Sequence, residues 1–266
     1  MRNDLTIYDK VADNWWSDDI RWARTLKNLV PGRLARFDRQ IDWQGRDVLD
    51  LGCSGGFMAE ALAARGARVT GIDPAEGAIA AARAHARAQG LRIGYDLGVG
   101  EALPYDAASF DAVVCVDVLE HVADLHKVMS QVARVLRPGG TIAITVPTFG
   151  PELMCWALSS DYHAPAQPGG HVRIYRRSEL VDRMRGSGLE ITGHHHAHAL
   201  HSPYWWLKCA VGVKRDDHPF VKRYHDLLVW DLTNKPPLTQ LVDRVLNPIL
   251  GKSLVVYGRK PIVAST

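Results

Sequence analysis

The middle of the chain alternates short apolar runs, many of them β-branched, with alanine-rich stretches whose apolar positions recur at helical spacing. A short apolar run bounded by turn residues predicts a strand, and a spacing of three to four residues predicts a helix. The strands predicted in this way are residues 47–52, 68–73, 92–97, 111–116 and 141–146. The predicted helices are residues 57–65, 76–89 and 125–136, the last of them ended by a turn at 137–140.

Strands that alternate with helices of this length pair in parallel, because a parallel neighbour needs a long crossover connection. The right-handed crossover rule then predicts a doubly wound α/β sheet. The continuous apolar run at 113–116 suits a strand that is covered on both faces. We therefore predict one domain over residues 1–266, with a cofactor-binding core at 44–199 and a last strand at 253–260.

The two flanks of this core differ from it in composition. Residues 8–43 hold four of the eight tryptophans, and residues 200–250 hold three more together with five prolines. We expect residues 1–43 to form an N-terminal helical cover and residues 200–250 to form a helical insertion before the last strand. Both covers are predicted to fold over the strand ends and to roof a pocket there.

Composition places the chain among globular proteins with a substantial core. Hydrophobic residues make up 47% and charged residues 23%, and the formal net charge is +3. This charge balance favours neither a nucleic acid nor a membrane, and no nucleic-acid partner is predicted. No run approaches the roughly 18 apolar residues of a membrane span, and no signal-peptide core is present. The four cysteines are widely spaced, so we expect a reduced cytoplasmic protein.

The loop after the first strand reads Gly52-Cys53-Ser54-Gly55-Gly56. A dinucleotide fingerprint that starts at Gly52 would need glycine at positions 54 and 57, where the chain has Ser54 and Phe57, and this disfavours hydride transfer. Glycines in the loop let the backbone approach a nucleoside that carries an amino acid tail. Asp50 precedes the loop, where its carboxylate would order the loop or meet an ammonium group.

Two further strand ends carry residues suited to a nucleoside. Asp73 ends the second strand, 21 positions after Gly52, where its carboxylate can accept hydrogen bonds from both ribose hydroxyls. Residues 98–105 follow the third strand, and Glu101 with the neighbouring backbone would border an adenine.

Taken in order, these motifs resemble class I S-adenosylmethionine-dependent methyltransferases, and among them the ubiquinone-biosynthesis O-methyltransferase family. The resemblance covers roughly residues 8–195 and is carried by the stretches 11–16, 48–56, 69–73, 117–122 and 136–140. It implies a seven-stranded, mostly parallel, Rossmann-like sheet and S-adenosylmethionine as the cofactor. Three features depart from the family or its superfamily: Ser54 replaces a usual glycine, Val99 a common aspartate, and residues 200–250 have no counterpart.

The family places the cofactor at Arg33, Gly52, Asp73 and Val116, with Arg33 reaching the methionine carboxylate. Together with the loop and strand-end residues, the predicted cofactor-binding set is Arg33, Asp50, Gly52, Cys53, Gly55, Gly56, Asp73, Pro74, Glu101, Ala102 and Val116.

Asp117, Glu120 and His121 follow the fourth strand and are the predicted catalytic residues. If a helical turn starts there, the three side chains share one face. Two carboxylates and an imidazole suit Mg²⁺ or Zn²⁺, which would lower the pKa of an acceptor hydroxyl. The similar family motif has glutamate in place of Asp117 and bears a metal. In the alternative interpretations, His121 acts alone as a general base, or the motif only orders the loop.

The remaining histidines are less informative. Residues 194–201 contain five of them, and on a strand His194, His196 and His198 would share one face able to bind a metal. A solvated strand end without function is the alternative. His171 lies in a stretch, 160–173, that resembles the family's active-site covering loop, and it is a candidate for contact with substrate.

The sequence predicts an O-methyltransferase for a hydroxylated, apolar small molecule such as a prenylated phenol or quinol, or a natural-product intermediate. The alternatives are an NAD-dependent dehydrogenase and a non-catalytic lipid-binding module on the same fold. Apolar and aromatic residues at 151–160 and 204–215 suggest peripheral contact with the inner face of a membrane, although an ordinary packed lid would have the same pattern.

Overall fold

A computed structural model describes residues 6–9, 14–167 and 169–262 of the protein. Its strands are β1 Asp47–Leu51, β2 Arg68–Asp73, β3 Gly94–Leu97, β4 Phe110–Val116, β5 Leu136–Pro147, β6 Glu190–Ala197 and β7 Ser253–Arg259. Its helices are α1 Thr6–Asp9, α2 Arg21–Phe37, α3 Phe57–Ala63, α4 Glu76–Ala88, α5 Leu125–Val135, α6 Phe149–Leu158, α7 Arg177–Gly186, α8 His201–Val211, α9 Pro219–Asn234 and α10 Pro237–Leu250. A 3₁₀ turn at Ser160–Tyr162 follows α6.

The strands form one seven-stranded sheet in the order β3-β2-β1-β4-β5-β7-β6. Strands β1 to β5 pair in parallel, and β7 runs antiparallel to both β5 and β6. This confirms the predicted doubly wound, mostly parallel sheet. The strand order reverses between β1 and β4, and the crevice at their carboxyl ends is where ligands of such sheets bind.

The junction between α5 and β5 differs from the prediction of a separate turn at 137–140. The strand begins at Leu136, which already pairs with Phe110 of β4, and the register shifts before the regular pairing resumes at Thr141. Arg137 forms ion pairs with Asp47 and Asp111 on the neighbouring strands. These tertiary contacts extend the strand through a segment whose Pro-Gly-Gly sequence is typical of a turn.

Two apolar layers cover the two faces of the sheet. On one face, Leu34 of α2, Leu62 of α3 and Ile79 of α4 pack over the sheet, and all three are almost fully buried. On the other face, Val132 of α5 and Met184 of α7 are fully buried against the opposite side of the same strands. Full burial of each such side chain contributes about 1.5–3 kcal/mol.

Helices occupy both flanks of this core. Helices α1 and α2 precede β1, and helices α8 to α10 lie between β6 and β7. Residues 11–13 of the motif stretch 11–16 lie outside the described residues. No helix in the described part of the chain is long and apolar enough to cross a membrane.

Candidate active site

A cavity of about 1400 Å³ opens at the carboxyl ends of β1, β2 and β4. Side chains from both flanks line it together with the strand ends, among them Trp22 of α2, Tyr204 of α8 and His225 of α9. Pockets for one small ligand usually measure about 300–1,000 Å³. The cavity therefore has room for a nucleoside cofactor and an acceptor side by side.

The loop after β1 approaches this cavity through two residues in the left-handed backbone region. Gly52 has φ +75°, and a Cβ there would lie 2.3 Å from the Val118 side chain. Ser54 adopts φ +47° although it carries a Cβ. Its backbone N–H donates a hydrogen bond to Asp73 Oδ2 at 3.0 Å. The departure from glycine at position 54 is thus accommodated by the fold.

The other two glycines of the loop serve packing behind it. A Cβ on Gly55 would lie 2.7 Å from the Trp15 ring, and the Gly55 carbonyl accepts a hydrogen bond from Trp16 Nε1 at 2.9 Å. Gly56 begins α3 with φ +90°, and a Cβ there would meet the Tyr95 hydroxyl at 2.5 Å. Neither glycine lines the cavity, although both were predicted to contact the cofactor.

Two buried carboxyl groups stand beside the loop. Asp73 accepts hydrogen bonds from the backbone N–H groups of Ser54 and Ala75, and burial raises its pKa. Burial and the nearby Asp73 charge raise the pKa of Asp50 to about 7. Both residues line the cavity, as do the predicted cofactor residues Gly52, Cys53, Pro74 and Val116.

Glu101 connects the third and fourth strand ends. Its Oε1 accepts hydrogen bonds from the backbone N–H groups of Ala123 at 3.1 Å and Asp124 at 3.3 Å. Glu101 and Val99 line the cavity, whereas the predicted contact residue Ala102 does not. The Glu101 carboxylate therefore orders the approach to α5 and still borders the cofactor side of the cavity.

Asp117 takes a different role from the one predicted for it. It follows β4 with φ +55°, and its carboxylate forms an ion pair with the buried guanidinium of Arg33 in α2. The left-handed backbone interrupts the predicted helical turn, and Asp117 does not belong to the cluster of metal-binding type described below. The structure thus does not bring the predicted metal ligand Asp117 together with Glu120 and His121, because Arg33 engages its carboxylate.

Glu120 and His121 meet His171 instead. One donor atom from each of these three side chains lies within 4.8 Å of the others. The Glu120 side chain is fully buried, and neither carboxylate oxygen has a hydrogen-bond partner among the described residues. Burial and the Asp117 charge raise the pKa of Glu120, and burial and His171 lower the pKa of His121 to about 3. An unpaired buried carboxyl beside a neutral imidazole fits a divalent cation.

The covering loop brings His171 to this position. The backbone N–H of Val172 donates to the Glu120 carbonyl at 3.0 Å, and the His171 and His121 rings lie 5.2 Å apart between centroids. On the other side, His171 Nδ1 is hydrogen-bonded to Glu152 of α6. The sequence marked His171 only as a candidate for substrate contact, and no local pattern linked it to Glu120.

The histidine group at 194–201 divides into two parts. On β6, His194 is hydrogen-bonded to Arg177. Beyond the strand, His198 and His201 are buried and line the cavity, and burial lowers the pKa of His201 to about 3. Within residues 6–9, 14–167 and 169–262, no metal-binding cluster forms from this group. Its contribution to the site is two neutral imidazoles in the cavity wall.

Sequence comparison relates the chain to methyltransferases. Residues 49–144 match the model of a methyltransferase domain family. A ubiquinone biosynthesis O-methyltransferase from Marinobacter nauticus is 32% identical over 197 residues, which are 71% of this chain and 82% of that protein. The enzyme of the same name from Coxiella burnetii is 33% identical over 202 residues, which are 73% of this chain and 86% of that protein.

Structural comparison gives the same fold at lower identity. A sarcosine dimethylglycine methyltransferase from Galdieria sulphuraria aligns with a TM-score of 0.60 and 18% identity, covering 90% of this chain and 87% of that one. The cyclase SpnF aligns with a TM-score of 0.59 and 22% identity, covering 91% and 82%. Since a cyclase shares the fold, the fold alone does not determine the type of reaction. The sequence relatives and the site carry that information.

Proposed function

The chain belongs to the ubiquinone-biosynthesis O-methyltransferase family and is an S-adenosylmethionine-dependent methyltransferase, and on that premise we propose that its acceptor is an apolar molecule with a phenolic hydroxyl. The observation that carries this proposal is the position of the Glu120–His121–His171 cluster in the same cavity as Gly52 and Asp73. Both flanks supply aromatic side chains to this cavity, which suits an acceptor with a large apolar part.

The strand-end residues would hold the cofactor. Asp73 has lone pairs left to accept the ribose hydroxyls, because each of its oxygens accepts one backbone hydrogen bond. Arg33 would meet the methionine carboxylate, and Asp50 the ammonium group. Methyl transfer is an in-line displacement, so these residues act chiefly by fixing the sulfonium relative to the acceptor oxygen.

Glu120, His121 and His171 would hold a divalent cation such as Mg²⁺ or Zn²⁺. When bound, the cation lowers the pKa of the acceptor hydroxyl, which is near 10 for a phenol. The alternative is a reaction without metal in which His121 accepts the proton. The position of His121 beside the buried Glu120 and His171 favours its role as a ligand.

Methyl transfer to a decyl-substituted catechol tests the acceptor class. We expect the decyl catechol to be methylated with a lower KM than unsubstituted catechol, since the aromatic cavity wall would bind the alkyl chain. S-adenosylhomocysteine binding without turnover on either catechol would favour the non-catalytic module. EDTA-treated enzyme, assayed before and after addition of Mg²⁺, Mn²⁺ or Zn²⁺, tests the metal. Full activity of the stripped enzyme would contradict the metal proposal.

Contact with a membrane remains part of this proposal, through the predicted segment 151–160, most of which lies in α6. Leu153, Met154 and Leu158 are between 42% and 48% exposed, which supports an apolar surface there. The second predicted segment, 204–215, contributes differently, because Tyr204 and Trp205 line the cavity. Binding of the protein to phosphatidylcholine vesicles, compared with a Leu153→Glu variant, tests the role of α6.

A further inference from the structure

A fully buried carboxylate lies directly behind the candidate metal cluster. Glu152 of α6 is fully buried and has hydrogen-bond partners on both oxygens. Its Oε1 is bonded to His171 Nδ1, and its Oε2 accepts from the Lys252 ammonium group and from the Tyr162 hydroxyl, the latter at 3.3 Å. Three separate segments of the chain therefore converge on one carboxylate.

The ion pair with Lys252 determines the direction of the other hydrogen bond. A carboxylate that is paired with a buried ammonium group has no proton to donate, so His171 Nδ1 must be the donor to Oε1. A proton on Nδ1 leaves the lone pair of a neutral imidazole on Nε2. His171 offers one ring nitrogen to the cluster with Glu120 and His121. Since Nδ1 is bonded to Glu152, Nε2 is the nitrogen left to serve there.

We propose that Glu152 is a positioning residue for the reaction, which fixes the tautomer and the ring orientation of His171 so that Nε2 serves the cluster with Glu120 and His121. This inference rests on the metal-dependent form of the proposed function. Carboxylates that accept a hydrogen bond from a metal-binding histidine orient the ring and increase its basicity as a ligand.

The arrangement of the two oxygens distinguishes this role from simple packing. Lys252 and Tyr162 both contact Oε2, and they also bond to each other, with Lys252 Nζ 3.2 Å from the Tyr162 hydroxyl. These contacts hold α6 to the segment before β7. They leave Oε1 to His171, which bonds to no other group of this network.

Lys252 supplies the positive charge that neutralises the buried Glu152 carboxylate. It follows the helical insertion and is the residue immediately before β7. Its ammonium group balances the charge of Glu152, because a buried carboxylate without a partner would be strongly unfavourable. Lys252, two residues beyond the insertion at 200–250, thus supplies the positive charge that makes the buried Glu152 carboxylate tolerable behind His171.

Binding of Co²⁺ to the purified full-length protein tests the proposal independently of turnover. Co²⁺ is the probe because its visible absorption reports the ligands around it. Removal of the Glu152 carboxylate alone would leave the Lys252 charge unpaired, so the test variant is the double substitution Glu152→Leu with Lys252→Met, which removes both charges and leaves no acceptor for His171 Nδ1. Tyr162→Phe is the matched control, because it removes one hydrogen bond to the same carboxylate and leaves the bond to His171.

We expect the double variant to bind Co²⁺ about 10- to 100-fold more weakly than the wild type, with a changed absorption spectrum. Its affinity for S-adenosylhomocysteine should stay the same, which shows that the fold is intact, and Tyr162→Phe should keep the Co²⁺ affinity within about threefold. Wild-type Co²⁺ affinity and spectrum in the double variant would overturn the role of Glu152 alone. Absence of Co²⁺ binding by the wild-type protein would instead overturn the metal-dependent function on which it rests.

Discussion

Arg33 and Asp117 form an ion pair in the cavity although 84 residues separate them in the chain. Arg33 is 6% exposed, whereas Asp117 is 27% exposed and reaches it from the end of β4. A cofactor with a carboxylate in its amino acid part would present a second anion to the same guanidinium. The two anions would then either share the five donors of Arg33 or compete for them.

The two partners of this pair should therefore respond oppositely to substitution. Arg33→Ala should weaken S-adenosylhomocysteine binding by about 1.5–3 kcal/mol, the usual contribution of a hydrogen bond to a charged group. Asp117→Asn should not weaken it, because the guanidinium becomes more available. Calorimetric titration of both variants measures this, and an equal loss in both would show that the cofactor needs the intact pair.

Asp73 should be the most sensitive residue for cofactor binding. Asp73→Ala removes the acceptor for the ribose hydroxyls and for two backbone N–H groups of the surrounding turns, each worth about 1.5–3 kcal/mol. Asp73→Asn keeps one acceptor oxygen and should lose less. S-adenosylhomocysteine affinity, measured by calorimetry, should rank the proteins wild type, Asn variant, Ala variant. Unchanged affinity of the Ala variant would contradict the assignment of Asp73.

Asp50 should make the stability of the protein fall as the pH rises. Its pKa is about 7 in the folded protein against an ordinary value of 3.8, so between these values the folded state holds a proton that the unfolded chain has lost. The free energy of unfolding then decreases with pH across this window, by at most about 1.4 kcal/mol per pH unit.

Asp50→Asn cannot ionise and should remove this contribution. The variant should gain stability relative to the wild type between pH 5 and 7, with no further change above about pH 7. Urea unfolding of both proteins at several pH values measures the difference, in which the contributions of all other groups cancel. A difference that stays constant with pH would mean that Asp50 is ionised in the folded protein throughout.

Any side chain at position 55 should lower the free energy of unfolding of the protein. Gly55→Ala places a Cβ 2.7 Å from the Trp15 ring, and relief of such overpacking costs about 1–3 kcal/mol. Gly32→Ala is the control, because it lies inside α2 with no heavy atom within 4 Å of the added Cβ, and it should stabilise by about 0.5–1 kcal/mol. Urea unfolding followed by tryptophan fluorescence compares the two, and stabilisation by Gly55→Ala would be the contrary result.

Local sequence was enough to bring Gly52 and Asp73 to one edge of the sheet, although Gly55, Gly56 and Ala102 do not line the cavity. Gly52 and Asp73 follow consecutive parallel strands, so their place at one edge of the sheet follows from the strand pattern alone. Ser54, noted in the sequence only as a replacement for a usual glycine, takes the left-handed conformation in spite of its Cβ.

The catalytic side depended on contacts that no local pattern contains. The spacing of Asp117, Glu120 and His121 predicted a shared face, but the backbone of Asp117 turns to φ +55° and its carboxylate pairs with Arg33. His171 replaces it because a loop about 50 residues farther along the chain is hydrogen-bonded to the Glu120 backbone. Such pairings are set by tertiary packing.

The aromatic residues of α8 illustrate a third limit. An apolar helical face indicates that something covers it, but the pattern does not identify the neighbour. Tyr204 and Trp205 were candidates for a membrane surface, and in the structure they line the cavity, with Tyr204 only 6% exposed.

The contact of Trp15 and Trp16 with Gly55 couples the N-terminal segment to the cofactor loop. Thermodynamic linkage makes such a coupling reciprocal: a ligand that fixes the loop favours the docked segment, and the docked segment increases the affinity of the loop for that ligand. Docking of Trp15 and Trp16 therefore affects cofactor affinity in the way that binding of a separate effector would. Protection of residues 14–20 from proteases should rise with cofactor occupancy, even though Trp15 and Trp16 do not line the cavity.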